Sequence, residues 1–285
     1  VRKIARERGV ELWVVPYHDD LPFDLDVYED LLKSKPHIRM VATTHASNVI
    51  GSVLPLEQIG ALAKQYEKYF LVDAAQSAGI FPIDVERFQA DMLAMPAHKS
   101  LYGPPGVGAL YIKHGTPLGT FMEGGTGSDS GAHKMTSELP DMVEVGTIPL
   151  PQIEAMVAGI RWVMRTGLEV IRRHEEELLR RLIDGLVQIP KVKVYGHTDV
   201  DRKTPVVSFN IAEMHPKEAG DILFNDYGIA LRAGFHCAPM AHEAIGTLSR
   251  GGTIRASIGY FTSERDIDAL VSAVTQMNKD RACAL

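Results

Sequence analysis

A repeating unit constrains this chain more than any other feature. Apolar runs at residues 12–15 (LWVV), 38–42, 69–72 and 92–95 alternate with stretches whose apolar residues fall on one helical face, such as Leu56, Ile59, Leu62, Ala63 and Tyr66. Short apolar runs bounded by turn residues predict strands, and strands alternating with helices imply parallel pairing through right-handed crossovers. Successive strands then end on one edge of a single, mostly parallel sheet, the edge at which open α/β sheets bind ligands. Three of those ends carry Asn48 (in THASNVIG), Asp73 with Gln76 (in VDAAQSAG), and His98-Lys99. Each has an ordinary alternative as a turn former, helix cap, surface amide or solvated amine. Their joint arrival makes that edge the candidate site.

Residues 92–112, MLAMPAHKSLYGPPGVGALYI, place Lys99 before a Gly/Pro-rich turn. A phosphate loop needs its Lys and Ser/Thr after the glycines, at the start of a helix. Here Ala109-Leu110-Tyr111 follows with strand character, so a phosphate loop is excluded. A carboxylate and a lysine at an α/β sheet edge instead fit pyridoxal phosphate, which needs a lysine for its aldehyde and a partner for its ring nitrogen. Asp73 is the candidate for the nitrogen and Gln76 for a hydrogen bond to the ring hydroxyl. Burial, which disfavours a charged ammonium, would free the Lys99 amine to shuttle protons.

Composition narrows the setting. The 285 residues are 45% hydrophobic and 23% charged, as in an ordinary globular chain with one large core or two domains. Net charge is -6 without a long basic block, which gives no support to a nucleic-acid or anionic-membrane partner. No run approaches a membrane span and the opening is not a secretory signal, so the expected location is cytoplasmic. Val1-Arg2-Lys3-Ile4-Ala5 reads as the middle of an uncapped helix, so an upstream part of the first domain is expected. Cys237 and Cys283 are too few for a disulfide framework.

The second half reads as a long helical stretch from Ile153 to Ile189, strands at 192–195 and 206–211, a helix at 216–227, short strands at 229–231 and 253–258, and a closing helix capped by Ser263 with Asp266 in the capping-box position. The expected division is a partial large domain at 1–150, a connecting helical region at 151–190, and a smaller α/β domain at 191–285. Chemistry in this half lies in LRAGFHCAP, residues 231–239. A lone cysteine is usually a small hydrophobe, but Arg232, His236 and a following helix start are surroundings that raise a thiolate fraction. Zinc on His236, Cys237 and His242 lacks a second cysteine pair.

These segments together resemble the class V aminotransferase family of pyridoxal-phosphate enzymes, in particular its cysteine desulfurase and selenocysteine lyase branch. THASNVIG, VDAAQSAG, HKSLYGPPGVGALYI, EGGTGSDSG, VEVGTIPLPQIEAMVAGI and RAGFHCAP are similar to its segments. The resemblance implies the pyridoxal-phosphate transferase fold (fold type I) and makes Lys99 the Schiff-base lysine. It pairs Asp73 with the ring nitrogen, Gln76 with the ring hydroxyl and His98 with the phosphate or imine. Asn48, Arg232 and Arg255 become substrate contacts, Arg255 clamping a carboxylate. Thr147 would reach the phosphate of a partner subunit's cofactor, implying a homodimer. Cys237 becomes the nucleophile that takes sulfur from L-cysteine as a persulfide and passes it to an acceptor protein. Pro96-Ala97 stands where many relatives carry Ser or Thr then Gly, and the family's phosphate-cradling turn and ring-stacking residue fall upstream of Val1. The alternatives are a selenocysteine lyase, an aminotransferase or β-lyase in which Cys237 is idle, and a scaffold without catalysis.

Overall fold

The computed structural model describes residues 2–17, 23–127, 131, 134–211 and 213–283, the side chains of 281–283 excepted. Its first half builds one sheet in the order β1 (Met40–Thr44), β2 (Tyr69–Asp73), β3 (Met92–Pro96) and β4 (Gly108–Ile112). The first three pair in parallel and β4 returns antiparallel to β3. Helices α1 (Arg2–Arg8), α2 (Leu25–Ser34) and α3 (Leu56–Gln65) belong to this half. Asp24 starts α2, its Oδ1 accepting from the amides of Asp26 and Val27 at 3.0 Å, which satisfies two of the orphan donors of a helix start. The α3 stripe Leu56, Ile59 and Ala63 shares one core with Phe70, Val72 and Leu93 of the strands, as its helical spacing predicts.

In the second half, α4 (Leu150–Thr166) and α5 (Leu168–Val187) are separated at Gly167, whose φ of 89° no helix accommodates. There follow β5 (Val192–Tyr195), β6 (Val206–Ile211), α6 (Pro216–Tyr227), β7 (Arg232–Gly234), α7 (Pro239–Ala244), β8 (Thr253–Ser257) and α8 (Glu264–Cys283). The strands form an antiparallel sheet in the order β5-β6-β8-β7. Leu178, Leu179, Leu182 and Leu186 of α5 share a core with Phe209, Ile254 and Val274. The predicted capping box forms: Asp266 Oδ2 accepts from Ser263 N at 2.8 Å, and Ser263 Oγ accepts from Asp266 N at 3.4 Å.

Two predicted strands differ. Residues 12–15 form no ladder; they have no regular secondary structure and are largely exposed, with the Trp13 ring beneath the Lys35 ammonium at 4.4 Å. The run pairs with neither edge strand of that sheet, β1 or β4, so its apolar composition produces no strand. The strand expected at 229–231 lies instead at Arg232–Gly234. Gly228 ends α6 in the left-handed region, and Ile229 N donates to Leu223 O at 2.8 Å, so residue 229 still belongs to the helix cap. The shift brings Arg232 into the ladder.

The two halves meet over α5. Arg172 donates to the carbonyls of Lys203 and Val200 at 2.7 and 2.6 Å, pairs with Glu176 at 2.5 Å, and lies over the Phe81 ring at 4.4 Å. One turn on, Glu175 is 1% exposed and its Oε2 has no hydrogen-bond partner among the described residues. Burial pushes its carboxyl up to about 8 against the pull of Arg172. A carboxyl raised in the folded state contributes stability that is present below its unfolded pKa and lost as pH climbs through the folded value. Glu175→Gln therefore gains on the wild type between pH 5 and 9, by an order of ~2–4 kcal/mol at the alkaline end, read as a shift in urea midpoint.

Candidate active site

The predicted convergence of strand ends occurs, and two glycines make it possible. Lys99 follows β3 in a turn closed by Tyr102 N donating to Lys99 O at 2.9 Å. A Cβ on Gly79 would lie 2.0 Å from Ser100 O, and one on Gly159 of α4 would lie 2.3 Å from Leu101 O. The lysine turn is thus clasped by backbone on both sides, approaches that any side chain would prevent. Asp73 ends β2 with an exposed carboxylate, its Oδ1 accepting from Ala75 N at 2.8 Å; Gln76 is half-buried in the same turn.

Lys99 interacts electrostatically with Asp73 and with Arg255. Burial lowers its pKa first, Asp73 opposes that shift, and Arg255 adds to it. His98 is exposed beside it. Tyr102 extends the turn toward the second half: its hydroxyl accepts from Tyr260 N at 3.1 Å, and its ring meets those of Trp162 and Phe261 edge-on at 4.7 and 5.7 Å.

The second sheet supplies a row of side chains. Tyr195 pairs with Ser208, Ser208 with Arg255 and Arg255 with Arg232 across β5, β6, β8 and β7. Directly paired residues share a face, so this row fronts the first half. Arg255 Nη1 donates to Asn48 O at 2.9 Å, while its buried Nε has no partner among the described residues. Burial pushes its guanidinium down, Arg232 pushes further, and the Cys237 sulfur opposes. Asn48 Nδ2 donates to His236 O at 2.6 Å, linking the loop after β1 to the cysteine turn.

In that turn His236 and Cys237 have φ of 49° and 63°, a left-handed pair that non-glycine residues adopt only when neighbours hold them. His236 is the holder. It is buried, with Nε2 2.9 Å from Thr253 Oγ1, and burial, then Arg255, push its pKa to about 3. It is therefore neutral at neutral pH and serves as an anchor. Cys237 is exposed, and Arg232 Nη2 donates to its Sγ at 3.1 Å, a charged donor that stabilises negative charge on sulfur.

Lys99, Asp73, Asn48, Arg255, Arg232 and Cys237 thus form one linked constellation. Thr147 is outside it: it is exposed before α4 and has no hydrogen bond to these residues among those described. Ser128, Asp129 and Ser130 of EGGTGSDSG lie outside the described residues, as does the Cys283 side chain. Among the described residues no three His, Cys, Asp or Glu side chains are grouped to hold a metal ion, and no helix is long and apolar enough to cross a membrane. Gly79, Gly159, Tyr102 and Thr253 are not among the sequence candidates; only Gly79, closing VDAAQSAG beside Asp73, carries a local signal.

The sheet, the clasped lysine and the carboxylate beside it define a class, and the comparisons agree. The profile of the family described as aminotransferase class-V matches residues 1–270, and the chain belongs to that family. It is 31% identical to a probable cysteine desulfurase of Pyrococcus abyssi over 98% of this chain and 68% of that protein. With a cysteine desulfurase of Haloferax volcanii the identity is 32%, over 96% and 63%. The chain thus spans about two thirds of the length of these relatives. The apo structure of the cysteine desulfurase of Thermococcus onnurineus NA1 superposes with a TM-score of 0.85 at 32% identity, covering 98% of this chain and 69% of that one. The cysteine desulfurase CsdA of Escherichia coli gives 0.85 at 28%, covering 96% and 67%. The fold is the fold type I architecture expected from the sequence.

Arg232→Gln removes the charged donor from Sγ, and alkylation of Cys237 by iodoacetamide at pH 7, read by peptide mass spectrometry, slows by about 3- to 10-fold.

Proposed function

We propose that this chain carries the working centre of a pyridoxal-phosphate cysteine desulfurase, which converts L-cysteine to L-alanine and leaves the sulfur on Cys237. The observation that carries the reading is the chain of contacts from Asn48 to Arg255 and to His236, next to the exposed Cys237 that Arg232 holds, with Arg255 acting electrostatically on Lys99 of the facing sheet edge. Family membership and the cysteine desulfurase relatives support it. The donor set fits the cofactor: one amine of lowered pKa, a carboxylate beside it and an amide in the next turn.

In this reading Lys99 holds the cofactor, Asp73 meets its ring nitrogen, Gln76 its ring hydroxyl, and His98 lies against it. When bound, the cofactor supplies a sink for the electron pair left on the substrate carbon. Arg255 holds the substrate carboxylate with Asn48 and Arg232. The Lys99 amine, favoured in its neutral form by burial, takes the proton from the substrate α-carbon and returns one to the product. The Cys237 sulfur attacks the substrate sulfur; a sulfur–sulfur bond forms, the carbon–sulfur bond breaks, and its electron pair stays with carbon. Being exposed, Cys237 can then deliver its terminal sulfur to an acceptor protein. Residues 1–150 hold the cofactor, 151–190 connect, and 191–285 carry the thiol; Thr147 reaches the partner subunit's cofactor in a cytoplasmic homodimer.

The test is a titration with pyridoxal phosphate. A visible band appears, borohydride fixes the cofactor onto Lys99, and sulfide is released from L-cysteine. Cys237→Ala keeps the band and loses at least ~100-fold of sulfide release together with the persulfide. Undiminished release without Cys237, or turnover that depends on a keto-acid acceptor, overturns the assignment.

A further inference from the structure

The loop after β1 is joined to the second half by an unbroken run of acceptors. Asn48 O receives Arg255 Nη1 at 2.9 Å, Val49 O receives Ser208 Oγ at 2.6 Å, Ile50 O receives Lys203 Nζ, and Gly51 O receives Thr204 N at 2.8 Å. Four successive carbonyls of one half are thus taken by donors of the other. Val53 N extends the seam by donating to Arg202 O at 3.1 Å. Gly51 permits the contact, because at its φ of 75° a Cβ would lie 2.9 Å from both Lys203 Cγ and Thr204 O.

Lys203 is the unexpected member. It is 0% exposed, its ammonium ends on a neutral carbonyl, and its own carbonyl is held by Arg172 at 2.7 Å. A buried ammonium with no carboxylate partner among the described residues costs folding free energy, and an uncharged donor, such as the Ser208 hydroxyl or the Thr204 amide that serve the neighbouring carbonyls, could hold the loop without that cost. Met would fill the same space. What the long, anchored side chain adds is a fixed distance between residue 50 and the backbone of the second half. Ser208 acts beside it: as the cross-strand neighbour of Arg255, it fixes the carbonyl next to the one Arg255 uses.

We propose that Lys203 and Ser208 are positioning residues that set the register of Asn48 against Arg255 and the Cys237 turn. Neither reaches the reacting atoms. Their effect passes through Asn48, whose carbonyl orients Arg255 and whose amide holds His236 O one residue before Cys237. With the seam loosened, Arg255 loses its fixed partner and the strained turn at 236–237 loses one of its restraints. The consequence for substrate binding rests on the reading of Asn48 and Arg255 as carboxylate contacts; the mechanical consequence for the turn does not.

Lys203→Met and Ser208→Ala, made in the 285-residue chain, separate these two statements. Hydrogen exchange of the peptide containing residues 234–238 rises by about 10-fold in the variants, while peptides of α8 and of β2–β3 keep their protection. Cys237 of the wild type, identified by peptide mass spectrometry, reacts faster with anionic iodoacetate than with neutral iodoacetamide. That preference falls by about 5-fold in the variants as the guanidinium loses its aim. On a desulfurase assay the loss is in KM for L-cysteine rather than in kcat. Should Lys203→Met fail to fold, Ser208→Ala, which removes only one hydroxyl, decides alone. Unchanged exchange at 234–238 in a folded variant overturns the proposal. Faster exchange in the variants of a wild type that shows no anionic preference supports the positioning role and removes the carboxylate reading instead.

Discussion

A buried peptide carbonyl must find a donor, and in this protein that requirement holds the site together. The segment at residues 49–52 is buried where the two halves meet, so its carbonyls cannot turn to water. Ser47 Oγ accepts from the amides of Val49 and Ile50 at 3.2 and 3.3 Å, which turns the chain and faces successive carbonyls toward the second sheet. Donors from β8, β6 and the segment leading into β6 meet them. Two sheets of different topology thereby acquire one relative placement, and Asn48 and Arg255, 207 positions apart in sequence, acquire a common geometry.

The lysine turn depends on a second backbone constraint. Its position is set by close approach, with Gly79 on one side and Gly159 on the other. Its far end is tied by the Tyr102 hydroxyl to Tyr260 N, just beyond the strand carrying Arg255. A displacement of β8 is therefore felt at Lys99 through Tyr102 and at Asn48 through Arg255. The amine and the sulfur sit on different halves of the molecule, yet each is referenced to the same strand.

What the sequence discloses and what it conceals follow from the range of the interactions. Alternating periodicities disclose the parallel sheet, because the alternation is local, and with it the arrival of Asn48, Asp73 and Lys99 on one edge. RAGFHCAP discloses the cysteine turn because Arg232 and His236 lie within five residues of Cys237. The strand at 232–234 lies three residues beyond its expected place because β propensity in Ile229-Ala230-Leu231 is overridden by the left-handed cap at Gly228. The run at 12–15 misled for the opposite reason: composition sets β propensity, but a strand needs a partner. Lys203 had no local signal. A lysine in a polar loop is ordinarily solvated, and its burial is created by a segment about 150 residues away. Thr253 is a further case, since its hydroxyl gains a role only where His236 folds back onto β8.

The ladder between β7 and β8 places Arg232 directly opposite Arg255. Like charges in that relation disfavour each other, and the depressed Arg255 guanidinium registers the presence of Arg232. Arg255 is only partly exposed, so it bears the conflict more than the exposed Arg232 does. A chain selected for stability alone would place an opposite charge or a neutral residue at one of the two positions. Here one guanidinium is turned to the Cys237 sulfur and the other to the Asn48 carbonyl, and neither has a carboxylate partner among the described residues. An anion placed between them would relieve that repulsion. In the proposed function, a substrate carboxylate beside Arg255 and negative charge developing on sulfur beside Arg232 would meet both needs of the pair at once. The seam at residues 48–51 keeps that arrangement from relaxing, since Arg255 cannot swing away from Arg232 without giving up Asn48 O.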